Sequence, residues 1–260
     1  MNKPEFLPSE IEPSKAVTIM VHGLNTKPSA LLSIANFLTQ NGSDVVLISL
    51  TGHKNDSQNL AAITRENWIS DLLEAYHYSR DLIKKDNLRS IFFVGFSLGA
   101  LAHLDVLTHY PEIANCDKMV LLAPANAPKW STHLIKCFFF MNNKSGIPSL
   151  APKKYRCQNK TPVQAYKVLF KMKKAIENEK YRHLNIPTMA VMDAKDETIS
   201  LGYLKKIIKT YQLTNWKIYT LNSQLKGKHS SYHHLIIDEH SMGSENWNRL
   251  IQRIKTFFYI

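Results

Sequence analysis

The chain has 260 residues, 44% hydrophobic and 21% charged, proportions that favour an ordinary globular fold over a disordered chain. It holds no run of eighteen apolar residues, and its polar, proline-bearing start lacks the apolar stretch of a secretory signal, so neither a transmembrane helix nor export is expected. Three scattered cysteines, Cys116, Cys137 and Cys157, are too few for a disulfide framework or a zinc site, which favours a reducing, cytoplasmic setting.

The positive charge is concentrated in the second half of the chain. The formal net charge is +12, yet residues 1–125 carry 10 Lys+Arg against 13 Asp+Glu, whereas residues 126–260 carry 23 against 8. The simplest interpretation is a solvated basic face. The alternative is an anionic partner, and weak association with an anionic membrane surface is favoured over nucleic acid, because no helix-turn-helix, zinc-finger or RNP signature is present.

Short apolar runs alternate with amphipathic segments along the chain. The apolar runs predict six strands, at residues 16–21, 45–49, 90–94, 118–123, 187–192 and 216–221. The segments between them predict helices at residues 29–39, 67–84, 98–109, 163–178, 201–211 and 245–258.

This alternation predicts an α/β fold, with about six mostly parallel strands and helices on both faces of the sheet. It is interrupted between residues 124 and 186 by five prolines and an aromatic cluster. That stretch is short for an independent domain, so we expect residues 1–260 to form a single domain with a small insertion. We call residues 125–185 of this insertion the lid.

A Gly95-Phe96-Ser97-Leu98-Gly99 motif lies between a predicted strand and a predicted helix. A tight strand-to-helix turn of this kind lifts the serine out of the sheet, and glycines on both sides avoid collisions in the turn. The turn also places Ser97 at a helix N-terminus, which favours developing negative charge. Ser97 is therefore the candidate nucleophile, the alternative being a plain glycine-rich turn.

A nucleophilic serine needs a base, and the base needs an acid to orient it. The acid is expected after the strand at 187–192, where three carboxylates follow one another. Asp196, within the turn, is favoured over Asp193 and Glu197.

The base is expected after the last strand, where the chain holds four histidines. His240, just before the final helix, is favoured over His229, His233 and His234. The last three could also bind a metal ion, but no carboxylate or thiol pattern supports this, so a solvated loop is the preferred interpretation and no metal is expected.

An oxyanion hole needs two backbone N–H groups aimed at one point. Leu98, directly after the nucleophile, is expected to supply one. Leu24, in the turn after the first strand, is expected to supply the other, with Gly23 allowing close approach of the backbone. His22 is expected to hold this turn by hydrogen bonds.

These motifs together resemble an α/β-hydrolase of the small bacterial carboxylesterase and monoacylglycerol-lipase-like group. The matching stretches are Val21-His-Gly-Leu24, Leu50-Thr-Gly-His53, Asn67-Trp68-Ile-Ser-Asp71, Gly95-Phe-Ser-Leu-Gly99, Thr161-Pro162, Asp196-Glu197 and His240.

The resemblance implies hydrolysis of carboxylic esters through an acyl-enzyme, without a cofactor. It assigns the triad to Ser97, Asp196 and His240, and the oxyanion donors to Leu24 and Leu98. The substrates it implies are short- to medium-chain acyl esters, with monoacylglycerols among the candidates. This sequence departs from the family pattern at Lys54, at Glu239 before the candidate base, and in a long insertion at 222–235.

The lid combines 13 Lys+Arg with two glutamates. Its apolar side chains are expected either to form an acyl pocket over the serine or to pack on the sheet. They are Trp130, Leu134, Phe138, Phe139, Phe140, Met141 and Ile147. Competing functions are a thioesterase or acyltransferase with the same triad and a non-catalytic binding protein of the same fold. The sequence gives no oligomeric state.

Overall fold

The computed structural model describes residues 4–53, 60–84, 89–222 and 232–260. The strands in these ranges are β1 (Glu5–Leu7), β2 (Ala16–Val21), β3 (Ser43–Ile48), β4 (Ser90–Phe96), β5 (Lys118–Leu122), β6 (Gly146–Pro148), β7 (Lys160–Pro162), β8 (Thr188–Asp193) and β9 (Trp216–Leu221). Seven of them form one sheet in the order β1-β3-β2-β4-β5-β8-β9, and β6 pairs with β7 in a second, two-stranded sheet.

The main sheet is parallel except at one edge, where β1 runs antiparallel to β3. The six predicted strands are all present, and the predicted α/β-hydrolase class of fold is confirmed. The seventh strand, β1, was not predicted. It has only three residues, two of them exposed, between Pro4 and Pro8, so it shows neither a buried run nor an alternating pattern.

Helices pack around the sheet and connect its strands. They are α1 (Leu32–Thr39), α2 (Arg65–Ile83), α3 (Leu98–His109), α4 (Val163–Asn178), α5 (Leu201–Thr210), α6 (Glu239–Met242) and α7 (Ser244–Tyr259). The predicted helices are all present, whereas the one-turn helix α6 was not expected. None of the helices in the described ranges has both the length and the apolar character that crossing a bilayer requires.

The core lies between the sheet and these helices. Every residue of β2, β3 and β8 is buried, as expected for parallel strands that are covered on both faces. The helices contribute large side chains to the same core, among them the fully buried Trp68 and Tyr76 of α2. Because the strands are parallel, their carboxyl ends meet along one edge of the sheet, where polar loops gather.

The lid follows β5 and contacts loops at that edge. It contains a 3-10 helix (Trp130–Phe138), the β6–β7 pair and α4. Backbone hydrogen bonds join it to the loops after β2 and β8. Lys27 N–H donates to the Tyr155 carbonyl at 2.8 Å, and Lys129 N–H donates to the Thr198 carbonyl at 2.7 Å. The lid is thereby placed next to the strand ends that carry the candidate site.

Candidate active site

The turn between β4 and α3 holds Ser97 in a strained backbone conformation. Its φ of 50° lies in the left-handed region, which side chains other than glycine rarely adopt. The end of β5 and the loop after it fix it there, since Ser97 N–H donates to the Leu122 carbonyl at 2.9 Å and Ala125 N–H donates to the Ser97 carbonyl at 3.2 Å. The expected strand-to-helix turn is therefore present, with the hydroxyl at the carboxyl end of β4.

The two glycines of the motif are both required by close contacts. A Cβ on Gly95 would lie 2.7 Å from the backbone nitrogen of Ala100, within the turn itself. A Cβ on Gly99 would lie 2.3 Å from the Val21 carbonyl oxygen, so the second glycine lets α3 approach the end of β2. The motif thus serves both the turn and the packing of the helix against the neighbouring strand.

Ser97 meets an imidazole and a carboxylate in a hydrogen-bonded line. Its Oγ lies 2.9 Å from His234 Nε2, and His234 Nδ1 lies 2.8 Å from Asp196 Oδ2. Since a carboxylate only accepts, Nδ1 carries the proton and Nε2 turns its lone pair toward the serine hydroxyl. This arrangement suits the imidazole to take the proton of Ser97.

His240, which we expected to meet Ser97, does not do so. It is exposed in the first turn of α6, with its ring centroid 6.5 Å from that of Tyr155. The physical reason is local, because Asp238 and Ser241 form a capping box that makes the residues between them helical. The expectation for the base was therefore wrong, and His234 occupies that place.

The sequence held two signals for His234 that were missed. Three apolar residues, Leu235, Ile236 and Ile237, follow it directly, and all three are buried, which anchors the histidine loop to the core. The capping pattern from Asp238 to Ser241 marks a helix start and assigns His240 to a helix surface.

Asp196, the favoured acid, lies where it was expected, and its carboxylate is fully buried and hydrogen-bonded. Its second oxygen accepts from the backbone N–H groups of Thr198 at 2.7 Å and Ile199 at 2.8 Å. Burial favours the neutral acid, but the His234 imidazole and these N–H groups outweigh it and hold the pKa of Asp196 below its ordinary value. The group beside the imidazole is thus an anion.

The two carboxylates that were not favoured hold the neighbouring residue. Asp193 Oδ2 lies 2.8 Å from His233 Nδ1, forming a second histidine–aspartate pair. The Glu197 carboxylate accepts from the backbone N–H groups of His233 at 2.8 Å and His234 at 3.0 Å. Both acids therefore support the loop that carries His234.

These histidine–carboxylate pairs concern the alternative that His229, His233 and His234 bind a metal ion. His229 lies outside the described residues, and the rings of His233 and His234 each bond a carboxylate. Over the described ranges, no three histidine, cysteine or acidic side chains gather in a way that would hold a metal ion.

Two buried histidines support the turn that carries Leu24. His22 Nε2 accepts from Leu50 N–H at 3.0 Å and its Nδ1 donates to the Gly23 carbonyl at 2.8 Å, as expected for a residue that holds this turn. His53, which the motif analysis did not single out for this role, accepts from Asn25 N–H at 3.0 Å.

Both rings are neutral because of where they lie. Burial lowers the pKa of His22 to about 4, and burial together with the nearby His22 ring lowers that of His53 well below its ordinary value. Neutral rings are needed here, since each uses one nitrogen as an acceptor. The turn after β2 is thus fixed by uncharged hydrogen bonds.

A cavity of about 360 Å³ opens beside Ser97 and His234, and Leu24 forms part of its wall. Among the described residues, its lining contains no aspartate, glutamate, lysine or arginine, and most of it is apolar. A larger groove of about 1060 Å³ lies between β9 and α7, but none of the three triad-like side chains lines it. The chemistry and the enclosed apolar space therefore coincide at the smaller cavity.

The lid supplies a different set of cavity residues from the one expected. Ile147 lines the cavity as expected, whereas Trp130 and Phe140 point to solvent. The same is true of Leu134, Phe138 and Met141, which are exposed as well. The lid residues that line the cavity with Ile147 are Ala125, Pro128, Thr132, Ile135, Pro148, Ser149, Leu150, Ala151, Thr161, Tyr166, Leu169 and Phe170.

Solved structures with the same fold include several lipolytic enzymes. A structure of the metagenome-derived lipolytic enzymes LipS and LipT matches with a TM-score of 0.76 and 17% identity over 98% of this chain and 96% of that chain. A soluble variant of monoglyceride lipase from Saccharomyces cerevisiae, in complex with a substrate analogue, matches with a TM-score of 0.76 and 10% identity over 98% and 90%.

A monoacylglycerol lipase from Paleococcus ferrophilus matches with a TM-score of 0.70 and 14% identity over 99% of both chains. At these identities the likeness concerns the fold. No protein of curated function matches the sequence. Residues 12–167 match the family model Hydrolase_4, described as serine aminopeptidase, S33. Since that match covers more than half of the chain, this protein belongs to the Hydrolase_4 family of α/β-hydrolases.

Proposed function

We propose that the protein is a serine hydrolase that cleaves carboxylic esters through an acyl-enzyme. The observation that carries this proposal is the line of contacts from Ser97 Oγ to His234 Nε2, at 2.9 Å, and from His234 Nδ1 to Asp196 Oδ2, at 2.8 Å. A hydroxyl, a base and an orienting acid in this order are what nucleophilic catalysis by serine requires.

In the first half of the reaction, His234 Nε2 takes the hydroxyl proton while Ser97 Oγ attacks the ester carbonyl carbon. The tetrahedral oxyanion is held by the N–H groups of Leu24 and Leu98. The second of these begins α3, where N–H groups have no partner within the helix. His234 then gives its proton to the leaving alcohol, and the acyl group stays on Ser97.

In the second half, His234 takes a proton from water, and the hydroxide that forms attacks the acyl-enzyme. The carboxylic acid leaves and Ser97 regains its proton. Throughout, the Asp196 carboxylate keeps the proton on Nδ1 and stabilises the imidazolium, so the ring always turns Nε2 to the reacting atoms.

The cavity supports neutral acyl esters as substrates. A volume of about 360 Å³ is at the small end of the range for small-molecule sites, which suits a short- to medium-chain acyl group. Monoacylglycerols are candidates within this class. The described lining is mostly apolar, which suits an uncharged ester better than the ammonium group of a peptide N-terminus and supports ester hydrolysis over aminopeptidase chemistry.

A thioesterase or acyltransferase would use the same residues and differ in leaving group or acceptor. A comparison of the rates on glyceryl esters, acyl-CoA and acyl-carrier substrates separates these functions. The cytoplasmic location expected from the sequence is part of this proposal, and Cys116, Cys137 and Cys157 are free thiols in the structure.

The central experiment compares the wild-type chain with Ser97→Ala. We expect hydrolysis of p-nitrophenyl butyrate by the wild type and a loss of about 10⁶-fold in kcat in the variant. A fluorophosphonate probe should label the wild type at Ser97 and leave the variant unlabelled. An unlabelled, inactive wild type would instead indicate a non-catalytic binding protein, and full activity of the variant would contradict the assignment of the nucleophile.

A further inference from the structure

Most of the lid lies within a stretch of unusual charge. Residues 118–176 contain 12 Lys+Arg and neither aspartate nor glutamate. Several of these cations are exposed in the lid, among them Lys136, Lys144 and Lys153. Over the whole lid, 13 Lys+Arg stand against two glutamates, and this excess of cations gives the lid a positive potential that attracts anions.

The same surface exposes large apolar side chains. Trp130 is 81% exposed, Phe140 89% and Leu150 74%, and Leu134, Phe138 and Met141 are exposed as well. In the rest of the described chain, the exposed large apolar residues are Phe6, Ile11 and Ile260, which are scattered. A cluster of exposed apolar side chains within one short segment indicates an interaction surface.

Except for Leu150, which belongs to both sets, the exposed apolar residues of the lid are different from those that line the cavity. Thr132 and Ile135 are three residues apart and so lie on one face of the 3-10 helix, where they line the cavity. Trp130 and Leu134 lie on the other faces, at the surface. The lid therefore has an inner side toward Ser97 and an outer side that is both apolar and basic.

We propose that the outer side of the lid is a docking surface for an anionic lipid bilayer. Exposed aromatic and aliphatic side chains with lysines between them suit binding to a membrane interface. The apolar side chains, called the tips below, insert at the boundary with the acyl chains, and the ammonium groups contact the anionic headgroups. Aliphatic tips such as Leu134 and Leu150 add nothing to the binding of a nucleic acid, whose contacts are phosphates and stacked bases.

Docking in this way brings the cavity to the bilayer surface. Leu150 both lines the cavity and is largely exposed, so the cavity opens on the side that carries the exposed tips. An ester held in the membrane would then reach Ser97 without crossing bulk water. This last consequence rests on the proposed function, whereas docking itself does not.

The test measures co-sedimentation of the full chain with vesicles of ether-linked lipids, which a carboxylesterase cannot cleave. Binding can thus be measured whether or not the protein is an esterase. We expect binding to vesicles that contain phosphatidylglycerol, little binding to pure phosphatidylcholine, and weaker binding as salt rises. Absence of binding to either vesicle, or equal binding to both, would overturn the proposal.

Two pairs of substitutions separate the apolar from the charged contribution. Trp130→Ser with Phe140→Ser removes two tips, and Lys144→Glu with Lys153→Glu reverses two charges. Each pair should weaken binding to anionic vesicles by more than about tenfold, since both terms contribute to interfacial affinity. All four residues lie outside the cavity lining, so hydrolysis of soluble p-nitrophenyl butyrate should not change.

The matched control is Lys205→Glu with Lys209→Glu, which changes the net charge equally but lies on the exposed side of α5. It should retain vesicle binding within about twofold at moderate salt, because the contact is local. An equal loss in this control would mean that net charge alone drives the binding and would refute docking by the lid. Binding to a soluble polyanion that is as strong as to vesicles and insensitive to the loss of the tips would refute it too.

Discussion

Two histidine–aspartate pairs lie side by side after β8, and only one of them reaches a serine. His234 pairs with Asp196 and His233 pairs with Asp193, each with 2.8 Å between Nδ1 and a carboxylate oxygen. The second ring nitrogen of His234 lies 2.9 Å from Ser97 Oγ. A paired imidazole is therefore a local feature of this loop, and the direction of its other nitrogen distinguishes a candidate base from a structural support.

The two aspartates differ in the same way. Asp196 accepts from two backbone N–H groups besides the imidazole, whereas the other oxygen of Asp193 accepts from Lys195 N–H at 2.8 Å at the end of β8. Both carboxylates are almost entirely buried. Two similar buried carboxylates therefore lie within four residues of each other. Asp196 contacts the proposed base His234, and Asp193 contacts His233.

Replacing the two histidines in turn should give the largest contrast. His234→Ala removes the proposed base, and we expect kcat for p-nitrophenyl butyrate to fall by about 10⁶-fold, as for loss of the nucleophile. His233→Ala leaves the base in place and should cost about tenfold or less. His240→Ala serves as a control and should leave kcat within about twofold. Equal losses in His234→Ala and His240→Ala would contradict the geometry of the site.

Replacing the two aspartates by asparagine sharpens the same contrast. In Asp196→Asn the side-chain amide can donate to Nδ1, which favours the wrong tautomer of His234, so kcat should fall by about 10⁴-fold while KM changes little. Asp193→Asn changes the pair with His233 and the contact with Lys195 N–H but leaves Asp196 in place, and should cost about tenfold or less. Steady-state kinetics on the same soluble ester, with thermal unfolding to confirm a folded chain, provides the measurement. A larger loss in Asp193→Asn than in Asp196→Asn would reverse the assignment of the acid.

The contrast between His234 and His240 also shows which parts of the fold and of the site can be predicted from the sequence. Strand and helix periodicity predicted the sheet, and the motif around Ser97 predicted a turn that the packing of Gly95 and Gly99 requires. These features are local, because a buried run or a tight turn is encoded by adjacent residues. The nucleophile and the acid follow strands directly, so their places could be predicted as well.

The position of the imidazole depends on the path of the chain after β9, which chain order alone does not give. The local signals for it are the buried run after His234 and the capping pattern that begins at Asp238. The favoured His240 satisfied chain order alone, and the one-turn helix α6 exposes it. The lid shows the same limit, since its composition left open whether its apolar side chains form a pocket or pack on the sheet, and it does not determine which residues face inward. Ile135 lines the cavity and Trp130 faces solvent, although both belong to one 3-10 helix.

His22 and His53 extend the comparison to imidazoles whose ring nitrogens bond backbone groups. The pKa of His22 is about 4 in the folded chain, below its ordinary value near 6.5, so only the unfolded chain gains a proton between these values. The free energy of unfolding should therefore fall as the pH drops from about 6.5 to 4, by up to about 1.4 kcal/mol per pH unit from this residue.

Urea unfolding at several pH values in this window measures that slope. His22→Asn should flatten it by about that amount relative to the wild-type chain measured in parallel. An unchanged slope in His22→Asn would mean that the ring is not held neutral by burial.

Glu197 offers the finest test, because it holds both histidines through their backbone. Its two carboxylate oxygens accept from His233 N–H and His234 N–H, and a glutamine would keep one acceptor and turn an N–H₂ group toward the other donor. We expect Glu197→Gln to shift the loop slightly and lower kcat by about tenfold, with KM unchanged, because the imidazole would be misplaced relative to Ser97.

If Glu197→Gln only destabilises the fold, it should lower the unfolding temperature without lowering kcat at an unchanged KM. The matched control is Glu112→Gln, the same change at an exposed carboxylate, which should alter neither constant. If Glu197→Gln retains full kcat, the His233–Asp193 pair and the buried residues after His234 suffice to place the imidazole. The carboxylate bridge would then be dispensable, and the two histidine–aspartate pairs would be independent of it.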